Sequence, residues 1–329
     1  MNKIIGFEKE FELILKNLTK EKLNNSILIT GNKGIGKFFF ISKIIEDYIN
    51  LKINPEQVNH HLSLLINNTH PNIKILQKKI DEKKNKMKNN ITIDQVRELN
   101  NFTKETSVID NFPKFILIDS ADDLNLSSSN AILKILEEPQ TDTYFFLISH
   151  QPSTLLPTIK SRCLKLNLSS HNFKNFENII YSKSFSPDDE ILKLLFDITN
   201  GSPGMSFDFN FDKIIEQFDQ LIYSMTENES FSDSQNNIID FFSTIENEKL
   251  NIHLSLIKFI LIVFKKVKLG INIRDIYLSE TILEIENLSD KITLDTIDNK
   301  FDYLINNQND LFTLNLDKKF FMINFFATK

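Results

Sequence analysis

The sequence predicts an α/β phosphate-loop domain, a parallel sheet flanked by helices, followed by a small group of helices and then an all-α region. Three observations carry this expectation. Short, wholly apolar runs alternate with helical patterns in the first half of the 329-residue chain. A glycine-rich loop joins the first such run to a helix. After about Ser169 the strand signals fade and one amphipathic helix follows another. Expected boundaries are 1–168 for the α/β domain, 169–210 for the small helical group and 211–329 for the C-terminal helices.

Ser26-Ile-Leu-Ile-Thr30 reads as the first strand, and the glycine loop Gly31 to Gly36 leads into a helix from Lys37 to about Tyr48. Phe115-Ile-Leu-Ile118 and Tyr144-Phe-Phe-Leu-Ile148 have no polar alternation, as expected of strands covered on both faces. Between them, Asn130 to Glu137 has helical spacing and stops before Pro139. Leu164-Lys-Leu-Asn-Leu168 is a short fourth strand. Strands alternating with helices imply a parallel sheet. Beyond it, 171–207 reads as a few helices ending in Gly201-Ser-Pro-Gly204, then come Ile214–Met225, Ile238–Ile245, Leu254–Lys268 and Asp298–Asn306. Two polar connectors, Lys78–Lys88 and Glu227–Asn237, are expected as solvated segments, and no internal repeat is visible.

Composition narrows the function. A hydrophobic fraction of 41% with 25% charge suits a globular chain with sizeable cores, and a net charge of −6 leaves no whole-chain basic footprint for nucleic acid. One cysteine, Cys163, allows neither an internal disulfide nor a four-thiolate zinc site. Glu8, Glu10 and Glu12 interrupt the N-terminal apolar residues, so no signal peptide is read. The longest apolar run, Phe259 to Phe264, is far short of a membrane span. A cytoplasmic location is expected.

Gly31-Asn-Lys-Gly-Ile-Gly-Lys-Phe38 fits a phosphate-binding loop at every required position but the last. Gly31, Gly34 and Gly36 would turn backbone N–H groups around a phosphate at a helix N-terminus, and Lys37 would reach the outer phosphates. A Ser or Thr hydroxyl should follow to bind Mg²⁺, and Phe38 has none. Asp119, ending its strand, is placed like the acid that assists Mg²⁺, but Ser120 stands where a water-polarising Glu is usual. Asp122 and Asp123 are read as solvated acids capping the next helix. The loop is therefore a vestigial site, expected to need no nucleotide, though residual ATP or ADP binding stays open.

Asp119-Ser-Ala-Asp-Asp-Leu-Asn125, Asn130-Ala-Ile-Leu-Lys-Ile-Leu-Glu-Glu-Pro139 and Ser161-Arg-Cys163 together resemble the bacterial replicative clamp-loader ATPases of the AAA+ superfamily. With its degenerate phosphate loop, the chain is most similar among them to the delta-prime subunits of DNA polymerase III. Thr69-His-Pro-Asn72, Ile93-Asp-Gln-Val-Arg97 and Gly201-Ser-Pro-Gly204 add to the likeness, which is strong over 25–205 and weaker beyond, where it rests on helical character and Asn315–Lys319.

The resemblance implies an AAA+ domain, a helical lid and a C-terminal collar. It implies that Arg162 acts as an arginine finger at the ATP site of a neighbouring subunit; the bland alternative is an arginine in a surface salt bridge. It also implies partners: hydrolysing gamma/tau-like AAA+ subunits, a clamp-opening delta subunit, and through the complex the sliding clamp and primer-template DNA. Arg162 is expected on an exposed loop at the sheet edge. Two departures matter. The zinc-binding cysteines usual between about Tyr48 and Asn68 are missing, so no metal is expected, and His60, His61 and His70 are read as surface residues. Gly204 replaces the lid arginine that senses the γ-phosphate, while Ser149 falls near the first sensor position. Two rival functions remain, a working P-loop ATPase and a nucleic-acid module using Lys78–Lys88. The first conflicts with Phe38, Ser120 and Gly204; the second lacks interleaved aromatics for base stacking.

Overall fold

In a computed structural model, the structure describes residues 3–81, 86–88, 90–140, 142–183, 185–209, 214–227, 232–272, 285–313 and 316–328. They form two compact units, Met1–His171 and Asn172–Lys329.

The first unit is built on five parallel strands: β1 (Ser26–Thr30), β2 (Ile73–Gln77), β5 (Lys114–Asp119), β6 (Thr143–Ser149) and β7 (Leu164–Asn167). Two-residue strands β3 (Ile80–Asp81) and β4 (Lys86–Met87) pair as a separate antiparallel ribbon. The large sheet has the order β2-β5-β6-β1-β7. Side chains alternate across a strand, and here both sets are apolar. Ile27, Ile29, Phe115, Leu117, Phe146 and Ile148 enter one core with helices α1 (Glu8–Thr19) and α2 (Lys37–Lys52), joined at its margin by α3 (Pro55–Ile66). Leu28, Ile116, Ile118, Phe145 and Leu147 enter another with α4 (Ile93–Lys104), α5 (Leu126–Glu137) and α6 (Pro157–Arg162). The lack of polar alternation thus has its cause in a sheet covered twice.

β2 has no counterpart in the sequence reading. Among the described residues it is an edge strand paired only with β5, so Lys74 and Gln77 stay exposed and break its apolar run. Within Lys78–Lys88, Lys78 lies 3.1 Å from Asp123 and Lys79 3.5 Å from Glu98, while residues 82–85 lie outside the described residues. Both described lysines at its start are thus engaged by acids of their own chain.

The second unit is helical throughout its described residues: α7 (Phe173–Ser182), α8 (Asp189–Ile198), α9 (Pro203–Ser206), α10 (Ile214–Thr226), α11 (Asp233–Thr244), α12 (Asn247–Lys268), and the helices Leu294–Thr313 and Lys318–Ala327. Phe176 and Leu195 from the segment expected as a lid share one core with Phe218, Phe242, Ile257, Phe264 and Phe325 from the segment expected as a collar. The polar connector Glu227–Asn237 runs into α11 at Asp233, with 228–231 outside the described residues. Of Asn315–Lys319, Asn315 is outside them, and Asp317 caps the last helix by accepting the Phe320 N–H at 2.8 Å. Among the described residues no helix is long and apolar enough to cross a membrane.

Candidate nucleotide site and arginine segment

The glycine loop lies between the C-terminal end of β1 and α2, where β1 meets β6 and the strand order reverses. Ligands of open parallel sheets bind at such a place. Gly31 is at φ 143°, and a Cβ there would stand 2.2 Å from the Leu168 carbonyl oxygen, so no larger residue fits. Gly36, at φ 95°, caps α2 in the left-handed region, and a Cβ there would meet no atom within 4 Å, so the loop is open on that side. Asn32 Nδ2 donates to Ser170 Oγ at 3.0 Å, tying the loop to the segment after β7.

Lys37 is 3% exposed, and its Nζ gives two of its three donors to the carbonyls of Gly31 and Asn32, both at 2.6 Å. Burial drives its pKa down to about 8 against the pull of Asp119 and Asp122. Phe38 and Phe39 follow on the first turn of α2, 36% and 42% exposed, and neither supplies an oxygen ligand. Burial, reinforced by Asp123, pushes the Asp119 carboxyl above its usual range. Ser120 is turned inward, its Oγ donating to Asp123 Oδ2 at 3.0 Å. Among the described residues no cluster of His, Cys, Asp or Glu could hold a metal ion.

Of the two acids read as solvated caps, Asp123 does cap the next helical turn, in a capping box with Ser120, and Asp122 is placed otherwise. Asp123 closes the short 3-10 turn Ala121–Asp123 and pairs with Lys78. Asp122 reaches across to the end of β6, accepting Ser149 Oγ at 2.6 Å and the backbone N–H groups of His150 at 2.5 Å and Gln151 at 3.3 Å. Spacing in the sequence gives no sign of this contact, which joins residues 27 to 29 positions apart. It occupies Ser149, the expected sensor hydroxyl, with an in-chain carboxylate. Replacing Asp122 by Asn removes the charge that strengthens these bonds and turns an amide donor toward donors. Urea denaturation should read a loss of about 2 kcal/mol.

Arg162 ends α6, a short helix rather than the expected loop, because Pro157 starts a helical turn at its favoured first position. The guanidinium Nη1 donates to the Thr158 carbonyl at 3.0 Å, and Nη2 pairs with Glu137 at the end of α5. Its side chain is 32% exposed. Cys163 beside it is buried, which pushes its thiol up to about 11 and keeps it unreactive.

His61 and His70, read as surface residues, are buried at 9% and 4% exposure, and only His60 is exposed. His70 Nε2 lies 3.1 Å from His61 Nδ1, and its Nδ1 accepts the Asn72 N–H at 3.2 Å. Asn72, fully buried, donates to the Phe112 carbonyl at 2.9 Å and to Ser107 Oγ at 2.5 Å. Thr69-His-Pro-Asn72 is thereby a structural knot leading into β2.

A strand, a glycine loop with a lysine at the following helix start, and a carboxylate ending β5, with β6 interposed, define a P-loop domain of AAA+ type. The chain matches the family described as DNA polymerase III, delta subunit over residues 7–172, and it belongs to that family, on the delta-prime side. It is 45% identical over 102 residues to subunit delta-prime of DNA polymerase III from Pseudomonas aeruginosa, covering 31% of this chain and 29% of that one. To the delta-prime subunit of Bacillus subtilis it is 24% identical over 241 residues, 72% of this chain and 64% of that one. It is also 30% identical over 204 residues to the DNA polymerase III subunit gamma of Buchnera aphidicola subsp. Schizaphis graminum, 61% of this chain and 54% of that one. The matched stretches thus cover less than two thirds of each relative's length.

Proposed function

We propose that this chain is a non-hydrolysing, cytoplasmic delta-prime-like subunit of the DNA polymerase III clamp loader. It supports loading of the sliding clamp onto primed DNA and supplies Arg162 to the ATP site of a neighbouring gamma/tau-like subunit. A clamp-opening delta subunit completes the set of partners, and the clamp and primer-template DNA are met through the complex. The helices of the second unit serve as lid and collar.

The observation that carries the reading is Phe38, on the first turn of α2 where a Mg²⁺-binding hydroxyl belongs, which has no oxygen to give. Three further features point the same way: Ser120 in place of the water-polarising acid, Gly204 in place of the lid arginine, and Ser149 tied to Asp122. Neither nucleotide nor zinc is required by this function, although a loop open at Gly36 is compatible with residual ATP or ADP.

Likeness to a gamma subunit favours a second reading, a hydrolysing gamma/tau-like subunit. The purified chain separates the two. Its ATP turnover with Mg²⁺ should stay at background, and Lys37→Ala should leave that rate where it was. Magnesium-dependent turnover abolished by Lys37→Ala would establish the second reading instead.

A further inference from the structure

Arg162 has an anionic partner before any neighbour arrives. The ion pair with Glu137 and the bond to the Thr158 carbonyl engage both terminal nitrogens of the guanidinium. Glu137 sits in the last turn of α5, where the negative end of the helix dipole disfavours an acid. Helix formation therefore does not account for a carboxylate there, whereas its contact with Arg162 does. The Glu137 side chain is 46% exposed, so the pair is reachable from solvent and by an incoming anion.

We propose that Glu137 is a latch: it holds Arg162 on its own chain until the more highly charged phosphate of a nucleotide on the adjacent subunit displaces the carboxylate. The proposal rests on the trans-acting role of Arg162 given above. The chemistry of the exchange is simple. A guanidinium forms the same forked bonds with carboxylate and with phosphate, and no covalent bond changes. The latch is weak by construction. An exposed ion pair holds only marginally against solvent, and a phosphate group overcomes it easily, so the pair sets a threshold without blocking engagement. Free arginine would otherwise sample many rotamers, and the latch keeps it at one place near the end of α6. Glu137 is in these terms a positioning residue.

Two measurements test it. In the isolated chain, phenylglyoxal labelling of Arg162, followed by peptide mass spectrometry, should be roughly 2- to 5-fold faster in Glu137→Gln. Arg97, paired with Asp94, is an internal reference that should not change. Equal labelling of Arg162 in both proteins would overturn the latch.

In the loader reconstituted with its hydrolysing and clamp-opening subunits, Glu137→Gln should raise kcat/KM for ATP by the same roughly 2- to 5-fold. The gain should shrink as salt is added and vanish on an Arg162→Ala background. A fall in kcat/KM, or an equal change on that background, would also overturn it. Should Arg162→Ala alone leave turnover intact, the trans-acting role fails and the latch loses its purpose. Faster labelling would then show the ion pair itself to be real, so the two failures are told apart.

Discussion

Arg162→Ala in the reconstituted loader is expected to cut DNA-dependent ATP hydrolysis at the adjacent site by roughly 10³-fold or more while leaving the assembly intact. The size follows from the charge that develops on the transferred phosphoryl group. A permanently charged guanidinium delivered into a site with little water stabilises that charge strongly, and water restores little of it. Arg162→Lys should recover only a small part, because an ammonium is a point charge that cannot form the forked pair. Folding should hardly change: the side chain is partly exposed, and its in-chain partners are one exposed carboxylate and one carbonyl. Such a surface pair is worth about 1 kcal/mol at most. Separation of the two effects is what makes the measurement decisive. Size-exclusion chromatography should recover the full complex, with only the turnover lost. Unchanged turnover in an intact complex would leave Arg162 as a surface ion pair and nothing more.

The same residue shows which parts of the protein its sequence exposes. The apolar runs of β1, β5 and β6 announce buried parallel strands because the sheet is covered on both faces, and each residue then obeys one rule. The glycine loop is legible because Gly31 and Gly36 answer to backbone geometry that other residues do not tolerate. At the sheet edge the rule relaxes, and β2, with its exposed Lys74, passes unnoticed.

Side-chain partners are harder still, since they join residues distant in the chain. Asp122 to Ser149, Arg162 to Glu137, and His61 to His70 are all contacts made by tertiary packing. Ser and Asp are mostly exposed and His is intermediate, so residue type alone points the two histidines no further inward than the surface. Lys37 is the clearest case. Its spacing in the loop fits phosphate binding, while the two loop carbonyls its Nζ also meets are fixed by packing that spacing does not encode.

The buried histidines make the first unit acid-labile, and His70 should dominate. Burial, with His61 and then His60 adding to it, holds the His70 imidazole down from 6.5 to about 4. Its surroundings explain why protonation is resisted. Nδ1 accepts the Asn72 N–H, so the proton of the neutral ring belongs on Nε2, which donates to His61 Nδ1. A second proton would have to sit on Nδ1, donor facing donor, at the knot that carries Asn72. Above pH 6.5 the ring is neutral in both folded and unfolded chain, and the stability is at its full value. As pH falls from 6.5 towards 4 the unfolded chain gains a proton that the folded one refuses, so stability is lost across that window and levels off below it. The difference amounts to roughly 3 kcal/mol for this one group. His150, lowered to about 4 chiefly by burial with Lys37 adding to it, acts in the same direction. Chemical denaturation of the full chain at about pH 7.5 and about pH 4.5 should record the loss, and His70→Gln, though less stable at neutral pH, should lose about 3 kcal/mol less on acidification. Direct titration of the ring by NMR gives an independent check: a His70 midpoint near 6.5 would remove the basis for the effect.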